Sequence, residues 1–156
     1  MPFGAEIGNE GVRFRLWAPS AREVEVVLRG AEPGAVALNP AGDGWFEATV
    51  PDARAGALYR YRIDGGLEVP DPASRFQPED VHGPSAVIDP DAYIWTNSAW
   101  TGRPWHETVL YELHVGTFSP QGTFDGVVER LDHLVDLGVT AVELMPLADF
   151  SGSRNW

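Results

Sequence analysis

The stretch Val12-Arg13-Phe14-Arg15-Leu16-Trp17-Ala18-Pro19 sets the reading of the first half of the chain. Apolar and polar residues alternate from Val12 to Leu16. That period of two places Val12, Phe14 and Leu16 on one buried face of a strand, and Pro19 closes it. Working outward, Glu23–Arg29 repeats the pattern with Val24, Val26 and Leu28 inward. Ala35–Leu38 is a weak strand, and Asn39–Gly44 reads as a loop closing on Asp43-Gly44, a dipeptide that favours tight hairpins. Trp45–Val50 is the next strand. Leu58–Ile63 groups Tyr59, Tyr61 and Ile63, and Asp64-Gly65-Gly66 turns it back into Leu67–Val69. Ala86–Ile88 is the last short run. About seven short strands at regular spacing predict an antiparallel β-sandwich of immunoglobulin-like type over residues 1–90.

Between residues 70 and 85 the prolines Pro70, Pro72, Pro78 and Pro84 forbid regular pairing. The segment reads as an ordered, extended connection, anchored by Phe76 and Val81. Residues 91–107 form a second connection, which holds Trp95, Trp100 and Trp105.

The period then changes. Thr108–Val115 is apolar at most positions, as in a strand covered on both faces. After a loop at 116–122, Phe124, Val127, Val128, Leu131, Leu134 and Val135 follow helical spacing. Thr123 stands as N-cap, Asp125 lies in the first turn, and Gly138 closes the helix. Val139–Met145 is a second covered strand, ended by Pro146. Strand, helix and strand in this order make a βαβ unit, which is parallel. Residues 108–156 therefore read as the start of an incomplete (β/α)8 TIM barrel.

Composition narrows the chemistry. The 156 residues carry 23 Asp+Glu against 11 Lys+Arg, a net charge of −12. That balance disfavours nucleic acid and anionic membranes as partners and suits a neutral substrate such as a sugar. Cysteine is absent, so disulfides and thiolate metal sites are excluded. No apolar run is long enough to span a bilayer. The opening Met1–Glu6 shows no signal-peptide pattern, so a cytoplasmic location is expected. His82, His106, His114 and His133 have no metal-ligand spacing; no metal and no cofactor are expected. The six tryptophans suit either sugar stacking or core and interdomain packing. Glu112, Glu143 and Asp149 lie on or just past the predicted parallel strands, where barrel enzymes keep their chemistry. Their spacing does not establish a hydrolytic pair, and an ion pair facing the helix is the reading favoured for Glu112 and Glu143.

Several segments resemble a known family. Phe14-Arg15-Leu16-Trp17-Ala18-Pro19 is similar to the opening strand of the N-terminal sandwich in isoamylases and glycogen branching enzymes. Asp71–Pro78 and Val81–Ser85 resemble the close of that domain. Tyr111–Phe118 and Gly138–Leu147 look like the first two barrel strands of the same α-amylase superfamily, and Arg154-Asn155-Trp156 resembles the loop beyond the second. In order, these segments are most similar to the malto-oligosyltrehalose trehalohydrolase family, with branching or debranching enzymes as the alternative. The resemblance implies a retaining glycoside hydrolase that cuts the α-1,4 bond beside the trehalose end and releases trehalose. It implies an α-1,4-glucan or malto-oligosyl trehalose as ligand, with Arg154, Asn155 and Trp156 in the loop nearest the sugar. The family's catalytic carboxylates match nothing in this sequence, so no catalytic residue is assigned. A full barrel takes about 250 residues, and the chain by itself is expected not to hydrolyse the substrate. A sandwich that binds glucan unaided, or one that only supports a barrel, are the non-enzymatic readings. Self-association through open barrel strands is expected as well.

Overall fold

The computed structural model describes residues 4–30, 34–148 and 150–152. They divide into two compact units, one running through Ile94 and the other spanning Trp95–Ala148.

The first unit carries strands β1 (Gly4–Gly8), β2 (Gly11–Trp17), β3 (Val24–Leu28), β4 (Ala35–Ala37), β5 (Asn39–Gly42), β6 (Trp45–Val50), β7 (Leu58–Ile63), β8 (Glu68–Val69) and β9 (Ser85–Ala86). One sheet has the order β1-β2-β6-β5 and the other β4-β3-β7-β8, with β9 also on β7. Every pairing within them is antiparallel. The residues predicted to point inward do so: Val12, Phe14 and Leu16 join Val24, Val26, Leu28, Phe46, Tyr59 and Tyr61 in one core. Tyr59 lies edge-on to Phe14, with ring centroids 4.9 Å apart, and to Tyr61 at 5.8 Å. Such edge-to-face pairs add to what area burial alone supplies.

Both Asp-Gly hairpins form. Asp43 and Gly44, with φ of 51° and 80°, are the left-handed pair of a two-residue turn between β5 and β6, and Asp64 and Gly65, at 50° and 67°, open a longer link from β7 to β8 in which the Gly66 amide donates to the Ile63 carbonyl at 2.9 Å. The second turn is tied down further, because the amides of Arg22 and Glu23 donate to Asp64 Oδ1 at 2.8 and 3.1 Å. These two donors hold the Asp64 carboxyl below the usual carboxylate range.

Two strands were absent from the sequence reading. Gly4–Gly8 lacks an alternating apolar pattern, yet it pairs residue for residue with β2. Asn39–Gly42, expected as loop, forms the edge of its sheet against β6, with a bulge between Pro40 and Gly42. An edge position is where a strand proline is tolerated, because its missing N–H faces away from the ladder.

The proline-rich connection is ordered, but its anchors differ from those expected. Phe76 is 52% exposed, and Val81 is only half buried. The connection is fixed instead by Asp71, Gly83, Pro84 and Ser85, all buried. A polar side chain was not a candidate anchor because a buried carboxylate is costly unless it is hydrogen-bonded, and those bonds come from distant strands.

The second unit opens with a 3₁₀ turn at Trp105–Glu107 and continues through β10 (Leu110–Leu113), α1 (Val115–Phe118), α2 (Phe124–Val128), α3 (Leu131–Asp136) and β11 (Ala141–Leu144). Strands β10 and β11 pair in parallel across the helices, as the βαβ reading requires. The predicted single helix is broken at Arg130, whose ψ of 5° is not helical. One helical turn, α1, stands where a loop was expected. Thr123 caps α2 as predicted, its Oγ1 accepting from the Gly126 amide at 3.2 Å. Of the predicted apolar stripe, only Val127 and Leu134 are buried, together with Leu113. Neither strand is covered on both faces: Leu110, Tyr111, Val142 and Leu144 are exposed. No helix among the described residues is long and apolar enough to cross a membrane.

Candidate functional site

The alternation of β2 that sends Phe14 and Leu16 inward sends Arg13, Arg15 and Trp17 to the outer face. On β6 the same rule puts Trp45 and Glu47 outward around buried Phe46. Register then brings them together, because Trp17 pairs with Trp45 and Arg15 with Glu47. Two indoles thus stand side by side on the open face of one sheet. The Arg15 guanidinium sits over the Trp45 ring, 4.5 Å from its centroid, and its Nε lies 3.5 Å from Glu47 Oε2. Trp17 is 58% exposed, yet its ring is fixed by an Nε1–H bond of 3.1 Å to the Asp43 carbonyl.

The far wall of this groove is the 71–75 loop. Asp71, only 3% exposed, holds it. Its carboxylate accepts from the Tyr59 hydroxyl at 2.6 Å and from the Ala73 amide at 2.7 Å, while its own amide donates to Ser85 Oγ at 3.0 Å. Burial raises the Asp71 carboxyl above its ordinary value against these bonds. Burial also pushes the Tyr59 and Tyr61 hydroxyls far up, with Asp71 adding to the effect, so both are neutral donors at any physiological pH. Arg75 Nη1 donates to the Ala5 carbonyl at 3.1 Å and holds the loop to β1. The groove between Trp17, Trp45 and this loop has a volume of about 560 Å³, within the range of small-ligand sites.

The other candidates fare differently. Glu112 and Glu143 are register partners on the parallel strands and stand directly beside each other. The expected ion pair to a helix is not there: among the described residues neither carboxylate has a salt bridge. Leu113 takes the helix-facing position, buried with Val127 and Leu134, and alternation turns its neighbour Glu112 the other way. His106 Nε2 lies 3.7 Å from Glu107, and no group of three or more His, Cys, Asp or Glu side chains is placed to hold a metal ion among the described residues. Trp95, Trp100 and Trp105 are exposed. Asp149, Arg154, Asn155 and Trp156 lie outside the described residues. Sequence reasoning missed Asp71 as the pin of the groove wall; the only local signal was an Asp-Pro step beside Tyr-rich β7.

A two-sheet sandwich with paired tryptophans on an outer face is an architecture suited to carbohydrate recognition. Residues 2–79 match carbohydrate-binding module 48, the isoamylase N-terminal domain, and the chain belongs to that family. Its curated relatives are more particular. The malto-oligosyltrehalose trehalohydrolase of Saccharolobus solfataricus is 44% identical over 100% of the chain and 27% of its own length. That of Deinococcus radiodurans is 44% identical over 96% of the chain and 24% of its own. A glycogen debranching enzyme of Dickeya chrysanthemi is 31% identical, matching 94% of the chain and 29% of its own length. The chain spans about a quarter of the length of the relatives it matches. Among solved structures, a putative alpha amylase from Salmonella typhimurium superposes with a TM-score of 0.91 at 45% identity, over 99% of this chain and 26% of that one. A pullulanase from Paenibacillus barengoltzii in complex with maltohexaose and alpha-cyclodextrin gives 0.76 at 31%, over 96% of this chain and 28% of that one.

Proposed function

We propose that the chain supplies the carbohydrate-recognising sandwich and the first βαβ unit of a retaining α-glucan hydrolase of the trehalohydrolase type. Such an enzyme releases trehalose from malto-oligosyl trehalose by cutting the adjacent α-1,4 bond. One observation carries this reading: identity to trehalohydrolases is 44% over nearly the whole chain, against 31% to a debranching enzyme. The chemistry of the site is in keeping with it. An acidic chain, with a net charge of −12, recognises a neutral glucan more readily than an anionic polymer. The adjacent Glu112 and Glu143 are given no catalytic role. They sit on neighbouring strands, which are about 4.8 Å apart; the pocket that Glu112 lines with His114, Arg130 and His133 does not take in Glu143, and among the described residues neither carboxylate has a hydrogen-bonded side-chain partner that would set one as acid and the other as nucleophile. By itself the chain is therefore a recognition and support unit rather than a hydrolase.

A chimera tests the reading. This chain replaces the matching quarter of the Deinococcus radiodurans relative, and trehalose release from malto-oligosyl trehalose is measured. Retained release is expected. A soluble, folded chimera that no longer releases trehalose overturns the assignment.

A further inference from the structure

We propose that Asp43-Gly44, the turn between β5 and β6, is a covalent modification site at which aspartate converts to isoaspartate in the folded chain, while hydrogen bonds protect the two other Asp-Gly steps.

The conversion needs only water. The Gly44 amide nitrogen attacks the carboxyl carbon of Asp43. A C–N bond forms, the C–OH bond of the protonated carboxyl breaks, and the amide proton leaves with that oxygen as water. The product is a five-membered succinimide. Water then adds at one of its two carbonyls. Opening at the side-chain carbonyl restores aspartate. Opening at the main-chain carbonyl leaves the chain running through the side chain, which is isoaspartate. One water leaves and one returns, so the mass is unchanged. Three things favour the step: a carboxyl that can take up a proton and rotate, an amide nitrogen with no other partner, and no Cβ on the following residue to shield that nitrogen.

The sequence offers the third condition three times, at Asp43-Gly44, Asp64-Gly65 and Asp125-Gly126. The tertiary structure separates them. At Asp64 the carboxyl is engaged, because Oδ1 accepts from the Arg22 and Glu23 amides at 2.8 and 3.1 Å. Those donors hold it below the usual carboxylate range, so the protonated, reactive form is rarer there. At Asp125 the nitrogen is engaged, because the buried Gly126 amide donates to Thr123 Oγ1 at 3.2 Å inside the first turn of α2. Asp43 has neither restraint. Its side chain is exposed, and among the described residues its carboxylate accepts no hydrogen bond and the Gly44 amide donates to none. Gly44 is also irreplaceable, since a Cβ there would stand 2.7 Å from Pro19 Cβ and 2.8 Å from Pro19 Cα. The fold therefore keeps the unshielded amide in place.

The change has a structural consequence. Isoaspartate adds a methylene to the main chain of a two-residue turn, next to the Gly42–Trp45 pair. The Asp43 carbonyl that accepts from Trp17 Nε1 at 3.1 Å is displaced with it.

The experiment is ageing of the full 156-residue chain at neutral pH and body temperature, folded and in concentrated urea. Isoaspartate is labelled with an isoaspartyl methyltransferase and located by mass spectrometry of tryptic fragments. Asp43 falls in fragment 30–54, Asp64 in 63–75 and Asp125 in 76–130. In the folded chain the label is expected to appear at Asp43 at least about tenfold faster than at Asp64, the factor that a hydrogen bond to a charged group represents, and about fivefold faster than at Asp125. In urea the three rates converge. The variant D43S, its fold checked by thermal melting, loses the label from fragment 30–54. Equal folded rates at the three sites, or a lead at Asp64 or Asp125, overturn the proposal. So does a folded chain without label at Asp43 over a period that labels it in urea, or label that persists in the D43S fragment.

Discussion

Asp71 is the buried polar residue that holds the 71–75 loop. It is a carboxylate in an apolar core, and it survives there because two donors meet it. Removing it leaves the Tyr59 hydroxyl and the Ala73 amide without their acceptor. Asp71→Ala is therefore expected to cost about 1–3 kcal/mol in urea denaturation. The pH dependence has a definite sign. Unfolded Asp releases its proton near pH 3.9, whereas burial makes the folded Asp71 hold it to higher pH. In that window the folded chain binds more protons than the unfolded one. The contribution of Asp71 is therefore full below about pH 3.9 and is lost as pH rises through its folded value. The stability difference between the parent chain and Asp71→Asn should shrink as pH is raised from 4. A difference that grows over that range contradicts the assignment.

At the scale of elements, helix α2 is the exposed case. It has five residues, and its N-terminus depends on Thr123. So short a helix has almost no intrinsic stability, and Thr123→Ala is expected to cost about 1 kcal/mol. Faster hydrogen exchange at the Gly126 and Val127 amides would report it; unchanged exchange there would count against the cap. This cap was legible in the sequence because capping is local. So were the cores of β2, β3, β6 and β7 and both Asp-Gly turns, since period and turn chemistry are properties of adjacent residues. Strands β1 and β5 were not. Neither carries a pattern of its own, and each is a strand only because a neighbour supplies its hydrogen bonds. The break at Arg130 was equally hidden, because helical spacing runs through it without interruption.

At the scale of the molecule, the two units differ in how much they bury. Fourteen buried apolar residues form the sandwich core, against three in the cluster of the second unit, among the described residues. Each fully buried Val or Leu contributes about 1.5–3 kcal/mol, so the sandwich is the more stable unit by a wide margin. Native-state hydrogen exchange at rising denaturant should show β10 and β11 losing protection while β2 and β6 keep theirs. Loss of protection in both units at one denaturant concentration would overturn this ordering.

The sequence by itself determined the alternating strands, the inward and outward faces of β2 and β6, the parallel βαβ order, the acidic balance and the family resemblance. All of these are written in neighbouring residues or in short segments taken in order. Tertiary structure alone decided that Trp17 and Trp45 are neighbours, that Arg15 covers one indole and leaves the other open, and that Asp71 rather than Phe76 pins the wall. It also decided that Glu112 and Glu143 stand side by side rather than pairing with a helix. Those facts depend on which residues of distant strands and loops come to stand beside one another; the pattern within one strand fixes which residues face inward but does not name the strand it pairs with.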